Sequence, residues 1–113
     1  MAQLEGYRDL IKKILTEYHN WVSGSSNLTE ESCLIFDEKN DHYIWLFLGW
    51  EGKKHIRNTQ VHIRIKNNKI WIEEDWTEHG IANDFLEAGV PKADIVLAFY
   101  APQDRVHTEF AVT

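Results

Sequence analysis

The chain has 113 residues, 43% of them hydrophobic, and a formal net charge of −6. That suffices for one domain over residues 1–113 with a real core, and the acidic balance argues against a broad phosphate-binding surface, which needs clustered Lys and Arg. No apolar run approaches the roughly 20 residues of a membrane helix, and Met1 leads into AQLEGYRDL without a secretory pattern, so a cytoplasmic protein with no membrane partner is expected.

Residues 4–22 read as an amphipathic helix. Leu4, Tyr7, Ile11, Ile14, Leu15, Tyr18 and Val22 repeat at helical spacing, with Arg8, Lys12, Lys13 and Glu17 largely opposite. Ser23-Gly24-Ser25-Ser26-Asn27 should end it in a loop. About four strands follow: Ser32–Asp37, His42–Trp50, His55–Lys66 and Lys69–Asp75. Short turns near Lys39-Asn40, at Glu51–Lys54 and at Asn67-Asn68 make neighbours antiparallel, and Asn tolerates the positive φ of a type I′ turn. Thr77 can cap a second helix over Glu78–Ala88, Gly89 suits its left-handed end, and Pro91 stops continuation. Ile95–Tyr100 reads as a fifth strand, ended by Ala101-Pro102, and the tail to Val112 as an edge strand or an arm. The expected fold class is α+β: an N-terminal helix, an antiparallel meander of about four strands, a second helix and a fifth strand.

The turns imply a register. Lys66 opposite Lys69 aligns Ile63 with Ile72 and Arg64 with Trp71. Trp50 opposite His55 aligns Ile44 with Val61 and Tyr43 with His62. Asp37 opposite His42 aligns Ile35 with Ile44. With alternating faces, Cys33, Ile35, Ile44, Leu46, Leu48, Val61, Ile63, Ile65, Ile70 and Ile72 form the expected core. The other face collects Leu34, Phe36, Tyr43, Trp45, Phe47, Asn58, Gln60, His62, Arg64, Trp71 and Glu73. Large aromatics rarely gather on a face meant only for water. Tyr43, Trp45, Phe47, Arg64 and Trp71 are therefore expected to form a protein interface, where aromatics and Arg are enriched.

Little in the chain points to catalysis or a cofactor. Cys33, the single cysteine, lies in an apolar strand-like run and reads as a buried, inert thiol. Glu73-Glu74-Asp75 with Glu78 and His79 matches no ordered ligand spacing, and a strand end followed by helix-start acids accounts for it. The histidines form neither H-x-x-x-H nor H-E-x-x-H, Cys33 has no C-x-x-C partner, and no G-x-S-x-G elbow or phosphate loop occurs. The expectation is no enzyme, no catalytic residue, no metal and no cofactor. His62 should pair with Glu73 across strands. The basic clusters Lys12-Lys13 and Lys53-Lys54-His55-Ile56-Arg57 are short and read as solvated, so direct nucleic-acid binding should be weak or absent.

The most specific run is Asp75–Arg105, with Thr77, Gly80, Gly89, Pro91, Asp94, Pro102 and Arg105 set around two apolar segments. Together with Tyr7-Arg8-Asp9-Leu10-Ile11, Leu34-Ile35-Phe36-Asp37, Gly49-Trp50-Glu51-Gly52 and Val61–Lys66, it resembles the signature of the XisI family. Ala98 departs from the pattern, standing where Gly is expected. Members of that family are excision controlling factors of a cyanobacterial DNA element. The resemblance implies a non-catalytic accessory of site-specific DNA excision that acts with an XisH-like protein, itself similar to restriction-type nucleases. It also leaves room for a restraining subunit of that partner or a direct DNA-binding accessory factor. A homo-oligomer is expected as well.

Overall fold

A computed structural model describes residues 2–23 and 30–113. Helix α1 spans Ala2–Ser23. Of the loop expected after it, Ser23 closes the helix and the rest lies outside the described residues. The strands are β1 (Glu30–Asp37), β2 (His42–Glu51), β3 (Lys54–Lys66), β4 (Lys69–Asp75) and β5 (Ile95–Leu97), and helix α2 is Ile81–Glu87. The sheet order is β1-β2-β3-β4-β5. The first four strands form the antiparallel meander, and β5 returns parallel to β4 after the α2 crossover. No described helix is long and apolar enough to cross a membrane.

The turns follow their residue chemistry. Asn67 and Asn68 sit at φ 54° and 63°, as a tight hairpin between right-twisted strands requires. β5 is shorter than expected. It ends at Leu97, and the tail forms a 3-10 helix over Pro102–His107 before Ala111 bridges alongside Val96.

The register departs from expectation at two β-bulges. Trp50 does oppose His55, but the pairing shifts between Trp45 and Leu46, so Trp45 faces Val61, Tyr43 faces Ile63 and Ile44 faces His62. Gln60 is the extra residue. A one-residue slip moves every later side chain to the other face. The core face therefore carries Tyr43 and Trp45, with Leu34, Phe36 and Phe47 packed against them, beside Val61, Ile63, Ile70 and Ile72. The β3–β4 half of the expected core is correct. The β1–β2 half is inverted: Cys33, Ile35, Ile44 and Leu48 lie on the far face and are only half-buried or exposed, while Leu46 there is buried.

Helix α1 covers the core face with Tyr7, Ile11, Ile14 and Leu15, and α2 contributes Ile81 and Phe85. Tyr18 stacks on Trp45 at 5.6 Å between ring centroids. The Trp45 indole N–H donates to Ser32 Oγ at 2.8 Å, and His19 Nδ1 lies 2.8 Å from the same hydroxyl. Arg8 holds the helix to the β1–β2 turn, donating from Nε and Nη2 to both Asp41 oxygens at 2.7 and 3.0 Å.

Candidate functional site

The expected aromatic interface does not exist as a surface. Tyr43 and Trp45 are buried beneath α1, with Phe47 packed against the same cluster. Trp71 is on the opposite face and also buried, its indole N–H donating to Lys66 O at 2.9 Å. Its ring lies within 5.6 Å of the Arg64, Lys66 and Arg105 cationic groups. Arg64 is partly exposed and ion-paired to Glu73 at 2.8 Å. The five residues belong to two separate layers because the Gln60 bulge separates what an unbroken ladder would have joined.

The signature residues of the Asp75–Arg105 run are spent on architecture. Thr77 does not cap α2, which starts later than expected, at Ile81. Instead one Asp75 oxygen accepts from Thr77 N and Oγ1 at 2.9 and 2.6 Å, and the other accepts from Ile81 N at 2.8 Å. Asp75 thus satisfies a helix-start N–H from the end of β4. Gly80 links the two at φ 81°, and its N–H donates to Thr77 Oγ1 at 3.2 Å. Gly89 has φ 96°, with Gly89 N donating to Leu86 O and Val90 N to Phe85 O, both at 3.0 Å. This is a Schellman ending. Pro91 starts the turn into β5, where Asp94 accepts from Gln3 Nε2 at 3.2 Å and from the Tyr7 hydroxyl. Pro102 opens the tail 3-10 helix. Arg105 donates from Nε to Tyr100 O at 3.1 Å and from Nη2 to Ala98 O at 3.2 Å. Arg105 thereby fastens the tail over Trp71.

The titratable groups tell a similar story. Cys33 is half-buried on the far face rather than in the core, and burial pushes its thiol up, away from a reactive thiolate. His62 pairs opposite Glu74, not Glu73, because Glu73 is the extra residue of the second bulge. Its Nε2 lies 3.1 Å from His42 Nδ1. Burial first, then His42, hold its imidazole below the usual range. His79, Asp84 and Glu87 bring one ligand atom each within 4.8 Å of one another. His79 Nε2 sits 3.8 Å from Asp84 and 3.6 Å from Glu87, at the surface, and the group's other bond is the Tyr18 hydroxyl to Asp84. Among the described residues no buried side-chain polar atom lacks a partner.

What the surface does present is tryptophan. Trp21, Trp50 and Trp76 are 80%, 62% and 70% exposed. Trp50 packs on His55 across the β2–β3 hairpin at 4.6 Å. Beside it, Lys53, Lys54 and Arg57 are exposed. Trp76 shares a hollow with Arg57 and Gln60, where β4 ends and β3 runs on. Trp21 ends a seam between α1 and α2. It follows Ile14 and Tyr18 at helical spacing, at the edge of the Leu4–Val22 apolar stripe.

Comparison with known proteins joins this architecture to a family. The XisI protein family matches residues 1–112. A crystal structure of the fdxN element excision controlling factor XisI from Anabaena variabilis ATCC 29413 is 42% identical, covers 98% of this chain and 99% of its own, and superposes with a TM-score of 0.86. A XisI-like protein from the same organism is 37% identical, covers 97% and 99%, and has a TM-score of 0.87. A search of curated proteins finds no match. The chain belongs to the XisI family.

Proposed function

We propose that this protein is a non-catalytic accessory factor controlling site-specific excision of a DNA element, and that it works through contacts with an XisH-like protein. The observation that carries the reading is the match along nearly the whole chain to a solved excision controlling factor. It is supported by what the signature residues do. Thr77, Gly80, Gly89, Asp94 and Arg105 hold turns and tail in place, so they preserve a shape for recognition. The net charge of −6 suits a protein partner better than phosphate. Assembly of the chain with its own copies, in the cytoplasm, belongs to the same reading.

A second reading, direct DNA contact, is favoured by one feature. The hairpin tip gathers Lys53, Lys54 and Arg57, none of which forms an ion pair among the described residues. One experiment separates the two. The chain and an XisH-like protein are co-expressed and co-purified, and each protein and the complex are assayed for duplex binding by gel shift at physiological salt. A stable complex, with no shift by the chain alone at micromolar concentration, is expected. Tight, salt-sensitive binding by the chain alone, lost on replacing Lys53, Lys54 and Arg57, would replace the first reading with the second.

A further inference from the structure

Three adjoining hollows run along α1 where it faces α2 and residues 88–90 just beyond it. They have volumes of about 380, 250 and 350 Å³. The first two share Leu10 and Ala88, and the last two share Ile14, Glu17 and Asp84. They form one groove. Along α1 its wall runs from Gln3 to Trp21. At about 1.5 Å of rise per residue this spans about 27 Å, the length of about 18 helical residues.

The groove has an apolar floor and an acidic rim. Leu10 and Ile14 lie along it, and the exposed Trp21 indole closes one end. Glu17, Asp84 and Glu87 line its middle against one cation, Lys13. Asp84 is held in place by the Tyr18 hydroxyl. Burial and that bond push the Tyr18 phenol up, so it remains a neutral donor to a carboxylate.

We propose that this groove receives a basic amphipathic helix of a protein partner. The inference rests on the partner-contact reading above and deepens it. The acidic rim repels phosphate and attracts Lys and Arg. An extended segment would look for unpaired strand edges, whereas the long α1 wall and the short α2 facing its middle offer none, and their surface suits an apolar helical stripe. Trp21 is the kind of aromatic anchor that carries interface energy. The arrangement has a functional consequence. A DNA-acting partner whose cationic helix lies in the groove has withdrawn that helix from phosphate, so docking restrains it.

The test uses a fluorescein-labelled model helix of about 18 residues, with Leu on one face and Lys on the other, and a second peptide with Glu in place of Lys. Fluorescence anisotropy should show the Lys-faced peptide binding at least about tenfold more tightly, in a salt-sensitive manner. Glu17→Gln combined with Glu87→Gln should weaken it about tenfold, and Trp21→Ala should do the same. Lys53→Gln, on the distant hairpin, should change nothing. These positions are on the surface, so circular dichroism should show folded variants. Equal binding of the two peptides, or groove variants that bind like the parent, overturns the proposal. The same variants are carried into the co-purification. If the complex with the XisH-like protein survives all of them, the groove is not its contact, although the partner reading stands. If that complex never forms while the Lys-faced peptide binds in the groove, the partner reading fails and the groove assignment stands.

Discussion

Trp45→Ala offers the sharpest test of which sheet face is core. Trp45 is 5% exposed. A buried large aromatic withdraws about 150–250 Å² from water, which at about 25 cal/mol/Å² amounts to about 4–6 kcal/mol as an upper bound. The Tyr18 stack at 5.6 Å and the Phe47 contact at 5.6 Å would be lost as well. Ser32 would keep His19 as a partner, so no hydroxyl is orphaned and no further penalty of that kind is added. The expected loss is about 3–5 kcal/mol, the usual range for removing a buried aromatic. Against a total stability of about 5–15 kcal/mol, that lowers the melting temperature by at least about 12 °C for a domain of this size. Urea unfolding followed by far-UV circular dichroism measures it. Trp21→Ala is the control: its indole is 80% exposed, and its stability should stay within about 0.5 kcal/mol of the parent. Were Trp45→Ala as stable as Trp21→Ala, the bulged register and the covering of this face by α1 would both be refuted.

Other outcomes follow from single residues. Gly89→Val should cost about 1 kcal/mol or more in urea unfolding; a Cβ there would meet nothing within 4 Å, so the loss comes from φ 96° alone. His62 is held below its ordinary value by burial, with His42, Glu73, Arg64 and Glu74 around it. The unfolded chain therefore takes the proton first as pH falls. The stability His62 contributes is complete above about pH 6.5 and is lost below it, so His62→Asn should show a smaller drop in melting temperature between about pH 8 and about pH 5.5. Asp41 is held below the usual carboxylate range chiefly by the Arg8 guanidinium. Its contribution is present above about pH 4 and disappears on further acidification. Asp41→Asn should melt lower at neutral pH and lose less on going to about pH 2.5.

Sequence by itself determined what local chemistry controls. The stripe from Tyr7 to Val22 makes α1, paired asparagines at 67 and 68 make the β3–β4 hairpin, and Gly89 ends α2, because periodicity and permitted φ are properties of a few neighbouring residues. Lys69–Asp75 is a strand with the bounds its alternation suggests. Tertiary structure decided which face of β2 is inside. HYIWLFLGW is apolar on both sides, so alternation carries no information there. The choice came from Gln60, the extra residue of the β2–β3 bulge. A bulge is an accommodation between strands and leaves little local trace. The same holds for Asp75 capping a helix start six residues on, and for the α1–α2 groove, whose walls are far apart in the chain. Each depends on two segments meeting, and only the folded chain brings them together.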